Sequence, residues 1–198
     1  MVIELFNIIG IIAFAASGAI TALDEDYDIL GFYVLGFITS FGGGTIRNLL
    51  IGTPIQLIWS QNAHFIAAFI TITLVFFIPK QWINRWDRGA VFFDAIGLAV
   101  FAIQGAFAAL NAGIPLAGII VAATLTGSGG GVIRDILARK EPMILHSDIY
   151  ALWAALGGLI IGLEWINSLA QAGILFAAIV FLRLISAHYN WRLPRRRC

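Results

Sequence analysis

Seven stretches of the chain are continuously apolar, at about 3–22, 29–50, 61–79, 90–110, 115–137, 149–163 and 169–187. Short polar segments such as Asp24-Glu25-Asp26-Tyr27-Asp28 and Lys80 to Arg88 divide them. A helix rising 1.5 Å per residue needs about 20 such residues to cross roughly 30 Å of hydrocarbon. The pattern therefore predicts seven membrane-spanning helices, the sixth of them short. Strands of a membrane barrel alternate apolar and polar positions in pieces of about ten, and these runs do not, so the expected class is all-α integral membrane protein. The first run ends near Ala15-Ala16-Ser17-Gly18-Ala19, small residues of the kind found at a leader cleavage site. It opens on Glu4 with no Lys or Arg before it, and is read as a span.

One register aligns the chain with itself. Gly42-Gly43-Gly44-Thr45-Ile46-Arg47-Asn48-Leu49-Leu50 matches Gly129-Gly130-Gly131-Val132-Ile133-Arg134-Asp135-Ile136-Leu137 at an offset of 87 residues. The offset holds upstream without gaps, where Gly10 meets Gly97, Phe14-Ala15 meets Phe101-Ala102, and Gly18-Ala19 meets Gly105-Ala106. Each copy holds three spans, and three is odd, so the second copy enters the membrane from the opposite side. The chain is expected to be one transmembrane domain, 1–198. It comprises two inverted repeats at about 1–80 and 88–165, an extra helix at about 169–187 and a basic tail, 188–198. Inverted repeats with interrupted helices commonly surround a permeation path at the membrane midplane, though a duplication can also serve folding alone.

Composition agrees with the pattern and adds an orientation. Of 198 residues 60% are hydrophobic and 12% charged, whereas a soluble domain carries about 25% charged residues. Twelve basic and eleven acidic residues leave a net charge of +1, which gives no field for nucleic acid. The single cysteine, Cys198, excludes an internal disulfide or a CxxC metal site. Ten basic residues, namely Lys80, Arg85, Arg88, Arg139, Lys140, Arg183, Arg192, Arg195, Arg196 and Arg197, fall near one side if the N-terminus is outside. The excess of Lys and Arg on cytoplasmic loops then places the C-terminus in the cytoplasm, in a multi-pass protein of the cell (inner) membrane. The remaining two are Arg47 and Arg134.

Those two arginines follow the glycine triplets, Gly42 to Gly44 and Gly129 to Gly131. Glycine costs about 1 kcal/mol per helix-interior position relative to alanine, so a kink or break is expected in spans two and five. Freed backbone groups must then face protein or a watery cavity; close packing through small residues is the alternative. An arginine in a span costs about 2.5–3.5 kcal/mol at the membrane centre and faces the bundle interior or snorkels to the interface. Asp94, about 7 Å into span four at helical rise, is the expected partner of Arg134, with Asp135 as competitor. The equivalent positions beside Arg47 are Asn7 and Asn48, so this arginine lacks both carboxylates and is freer to meet an anion.

The paired Gly-Gly-Gly-x-Ile-Arg-[Asn/Asp] motifs, in a seven-span chain of two three-span repeats plus one helix, resemble the prokaryotic branch of the trimeric intracellular cation (TRIC) channel family. The resemblance covers essentially the whole chain. It implies a homotrimer with a pore in each protomer, permeation of monovalent cations with K+ the main ion and Na+ a further one, and kinked helices two and five beside the pore. It assigns kinks to the two triplets and basic pore positions to Arg47 and Arg134, with Asn48, Asp135 and Asp94 as their neighbours. Thr39, Ser40, Thr126 and Ser128 are pore candidates by position, although hydroxyls in spans commonly bond their own helix. Basic residues beside a cation path favour anions; neutralisation by Asp94 or a gating role would reconcile them. Relatives are also linked to glycine transport, and a carrier for a small amino acid, with its carboxylate on Arg47, is the alternative function.

An enzyme is not expected. His64, His146 and His188 show no metal-ligand spacing and are read as interfacial residues, the serines sit in no nucleophile motif, and the glycine triplets lack the lysine of a phosphate loop. No cofactor is expected. In the tail, Trp191 and Arg192 precede Arg195, Arg196 and Arg197, which are expected to hold the C-terminus inside and to contact anionic membrane lipid.

Overall fold

The structure is a computed structural model that describes residues 2–84, 89–146 and 149–191. Seven principal helices follow one another: α1 (Val2–Asp24), α2 (Ile29–Ile51), α3 (Asn62–Phe77), α4 (Gly89–Asn111), α5 (Leu116–Leu137), α6 (Tyr150–Gly162) and α7 (Leu169–His188). Short helical turns at Ile55–Ile58, Lys80–Asn84 and Met143–His146 join them, and there is no strand among the described residues. Among the described residues five segments are long and apolar enough to cross a membrane: Phe6–Asp24, Ile29–Ile51, Gly89–Asn111, Leu116–Leu137 and Leu169–His188. The other two are apolar but shorter, α3 with 16 residues and α6 with 13. α3 stops before the expected residue 79 because Ile78 precedes Pro79 and adopts an extended conformation, φ −74° and ψ 128°, the geometry that a following proline enforces.

Local chemistry sets the other boundaries. The Asp28 side chain accepts from the Gly31 amide at 2.8 Å and starts α2. Gly52, with φ 72°, closes it in the left-handed region and donates its amide to Asn48. Ser168 and Gln171 form a reciprocal capping box at the start of α7. Ser168→Ala is expected to cost about 1 kcal/mol, read as a lower midpoint in circular-dichroism unfolding and faster amide exchange in the first turn of α7.

α1 and α4 are the most buried of the five long helices and α7 the least. Phe14 of α1 stacks on Phe101 of α4 at the centre of the bundle, with ring centroids 5.1 Å apart and planes 29° apart. Around this pair, contacts recur in couples whose members are 87 residues apart. Gly10 faces Val100 and Phe101, and Gly97 faces Phe14. Gly18 lies against the Thr39 hydroxyl and the Leu35 carbonyl; Gly105 lies against the Thr126 hydroxyl and the Ala122 carbonyl.

The triplets follow the same rule where α2 crosses α5. A Cβ on Gly43 would collide with the Thr126 carbonyl oxygen, and one on Gly130 with that of Thr39. A Cβ on Gly42 would lie 2.9 Å from Ile133 Cδ1, and one on Gly129 2.8 Å from Ile46 Cδ1. Both helices are assigned as continuous α-helix through the triplets, so no break in secondary structure occurs there. Close approach of two backbones explains this outcome, because the attraction gained along the crossing offsets a helix penalty that propensity counts in isolation.

Candidate functional site

Arg134, in the last turn of α5, is only 2% exposed. Its Nη1 donates to Asp94 Oδ1 at 2.8 Å and to Ser17 Oγ at 2.6 Å. Its Nε and Nη2 reach Asp135 Oδ1 at 2.9 and 2.8 Å. Asp135 Oδ2 accepts from the Met143 amide at 3.1 Å, and Ser17 donates to the Ala90 carbonyl. One guanidinium thus ties α1, α4, α5 and the segment after α5 together. Two carboxylates against one guanidinium leave the cluster with an excess negative charge, and the buried Arg183 guanidinium sits close by, 4.8 Å over the Tyr150 ring. Sealing ions from water is costly and is offset by direct pairing of this kind.

Arg47 occupies the matching place in α2. Its Nε and Nη2 donate to Asn48 Oδ1 at 3.0 and 2.9 Å, and its Nη1 to Gln104 Oε1 at 3.3 Å. Residues 47 and 134, 48 and 135, and 104 and 17 are each 87 apart, so the two arginines use equivalent partners. The difference is chemical: amides surround Arg47, carboxylates Arg134.

The surroundings differ as well. Arg47 is half-buried and faces a cavity of about 850 Å³ whose wall includes Asn7, Ser40, Gly44, Asn48, His64 and Gln104. The cavity reaches Phe101 inward, and its wall continues through Thr53, Asn111 and Ser168 at the ends of the helices. No Asp or Glu is among the wall residues. His64 is 6% exposed. Its two ring nitrogens, Asn7 Oδ1 and Gln104 Nε2 are buried without a hydrogen-bond partner among the described residues.

The other expected site residues separate into groups. Ser40, Gly44, Arg47 and Asn48 line the cavity. Asp94, Arg134 and Asp135 form the closed cluster. The hydroxyls of Thr39, Ser40, Thr126 and Ser128 each donate to the carbonyl four residues earlier in their own helix, and of these four only Ser40 is in the cavity wall. Gly42, Gly43, Gly129 and Gly130 sit in the helix crossing, and Gly131 packs near Tyr150 and Asp94. Arg195, Arg196 and Arg197 lie outside the described residues, as do Arg85 and Arg88. Sequence reasoning missed Ser17 and Gln104 as arginine partners, although the offset of 87 pairs them as two polar residues deep in apolar spans. It also read His64 as interfacial, whereas the start of α3 turns this side chain into the cavity wall.

Comparison with known proteins bears on both the duplication and the family. One family model, described as "Glycine transporter", matches twice, over residues 4–80 and 91–165. The UPF0126 membrane protein YvgT of Bacillus subtilis (strain 168) is 55% identical over 193 residues, covering 98% of this chain and 96% of its own. The UPF0126 inner membrane protein YadS of Escherichia coli (strain K12) is 33% identical, with 98% and 96% covered. Among solved structures, a TRIC cation channel superimposes with a TM-score of 0.86 at 35% identity, over 100% of this chain and 98% of its own. The TRIC trimeric intracellular cation channel orthologue of Rhodobacter sphaeroides does so with a TM-score of 0.83 at 33% identity, over 95% and 98%. The chain belongs to the TRIC family. A TRIC assignment accounts for the end-to-end coverage of both chains. In this TRIC chain the exposed apolar side chains of α3 and α7, such as Ile66, Leu74, Ile174 and Phe181, form a surface suited to lipid.

Proposed function

We propose that this TRIC chain is a channel for monovalent cations, K+ foremost, with a pore inside each protomer of a homotrimer in a bacterial inner membrane. The observation that carries the reading is the cavity around Arg47, which reaches inward to Phe101, the stacking partner of Phe14, with the Arg134 cluster towards the opposite end of the bundle. The order of these parts is that of a channel held closed. A vestibule opens at one end of the bundle, an aromatic pair fills the middle, and a paired guanidinium seals the far side. Asp94 and Asp135 offset the Arg134 charge, which answers the objection that an arginine repels cations.

The symmetric contacts at an offset of 87 and the double family match support two inverted repeats, with α3 and α6 completing seven membrane-embedded helices and α2 and α5 bending at their triplets when the path opens. Lys80, Arg139 and Lys140 lie at the Arg134 end, which supports a cytoplasmic assignment of that end. Arg195, Arg196 and Arg197 then meet anionic lipid on the same side.

Unitary currents from purified protein in planar bilayers test this. A K+ gradient is expected to give resolvable steps that reverse near the K+ equilibrium potential. Arg134→Ala is expected to raise open probability. Arg47→Ala is expected to raise cation conductance several-fold at about 0.01 M salt and little at about 1 M, where the Debye length falls from about 30 to about 3 Å. Saturable glycine uptake without unitary current would instead establish the carrier.

A further inference from the structure

We propose that the cavity binds a small carboxylate on Arg47, held as Asp94 holds Arg134. The claim rests on reading this cavity as the mouth of the pore, and it adds a ligand to that mouth. The second repeat displays the site already filled. There a guanidinium with the same sequence neighbours takes one carboxylate from α4, at 2.8 Å, and another from the residue that follows it. In the first repeat the α4 aspartate is matched by Asn7, and the following aspartate by Asn48, so both carboxylates have become amides. Arg47 keeps the charge and loses its counter-charge.

Three of the five N–H donors of a guanidinium are directed at amide oxygens here, and amide oxygens leave its formal charge unbalanced. Glu4, in the first turn of α1, is exposed and outside the wall. Unmet polar atoms surround the charge. Gln104 Nε2 supplies a donor, and the His64 ring, 6% exposed and unpartnered, supplies a second group facing the same space. Buried polar groups of this kind take a hydrogen-bond partner. A carboxylate on Arg47 and Gln104 Nε2 would satisfy the charge and one orphan donor together. About 850 Å³ lies within the range of small-molecule sites, about 300–1,000 Å³, and it exceeds what one carboxyl group fills. The ligand is therefore a small organic acid or the headgroup end of a lipid-borne one. Once bound, it turns a vestibule that repels cations into a neutral one.

Isothermal titration calorimetry of the purified full chain in neutral detergent tests the proposal, with potassium chloride replaced by potassium acetate at constant ionic strength. Saturable acetate binding is expected, weakened tenfold or more in Arg47→Gln. Asn7→Asp places a carboxylate at the position matching Asp94. It is expected to abolish acetate binding while raising the thermal midpoint, because the site is then filled from within; the raised midpoint separates this from misfolding. Potassium octanoate is the second probe. Tighter octanoate binding with the same Arg47 dependence assigns the site to a lipid-borne acid, and equal binding assigns it to a soluble one. The proposal is overturned if neither acid saturates up to about 100 mM, or if Arg47→Gln or Asn7→Asp binds acetate as the parent does. Unitary currents from the same preparations keep the two claims apart. Currents without acid binding remove the site and leave the channel, whereas acid binding without currents does the reverse.

Discussion

Asp94→Asn is expected to destabilise the fold by about 1.5–3 kcal/mol, measured by reversible unfolding in mixed micelles. The substitution takes the carboxylate acceptor from Nη1 of a guanidinium that is 2% exposed and leaves Asp135 as its one counter-charge, in a place water does not reach. Its volume is unchanged, so the loss reports charge and not packing. Adding Arg134→Met alone is expected to recover little, because it strands the Asp135 carboxylate; adding Asp135→Asn as well removes the last ion of the cluster and is expected to recover a large part of the loss. The coupling between Asp94 and Arg134 is expected near the upper end of about 0.5–3 kcal/mol. Parental stability in the single variant, or zero coupling in the cycle, contradicts the role given to this pair. The first repeat carries asparagine at the matching position without that cost, because Arg47 borders a cavity instead of a sealed core.

Gly43→Ala and Gly130→Ala are each expected to cost about 1–3 kcal/mol, as overpacked cores do. In each case the new methyl meets a carbonyl oxygen of the opposite helix, Thr126 or Thr39, and a backbone cannot swing aside as a side chain can. Gly44→Ala is the internal control. Its added Cβ has only Arg47 Nη2 nearby, at 4.0 Å, so the change is expected to be neutral or to stabilise by about 0.5–1 kcal/mol through helix propensity. The same unfolding assay reads all three. Equal losses at residues 43, 44 and 130 would show that the triplets act through backbone flexibility and not through close approach.

What could be read in advance was whatever depends on residue identity at a fixed offset. The triplets, the two arginines and the exchange of Asp94 and Asp135 for Asn7 and Asn48 are visible in the letters alone, and so is the pairing of Asp94 with Arg134, since a lone charge in a span must find a partner. Effects that depend on a neighbouring helix were not legible. The expected break at Gly42 to Gly44 followed from a penalty counted residue by residue, and that count omits the Thr126 backbone lying against Gly43. His64 looked interfacial because it stands near the start of an apolar run, and only the packing of α3 on α1 and α2 turns it inward. Ser17 reads as one more small residue among alanines, and its role as a partner of Arg134, 117 residues away, depends on the packing. The one-sided cavity arises from the same cause, because amides and carboxylates at matching positions give one arginine a closed neighbourhood and the other an open one.

The crossing of α2 and α5 also sets an order of assembly. Gly43 meets its partner surface only after residues 126 to 130 exist, which at about 5–20 residues per second of synthesis is a delay of roughly 4–17 s. Through that interval α2 carries a strip of bare glycine backbone that α5 has yet to cover. The nascent first half is therefore an incomplete object that waits for its own duplicate. A chain truncated before α5 would be left seeking that strip's cover from a second molecule.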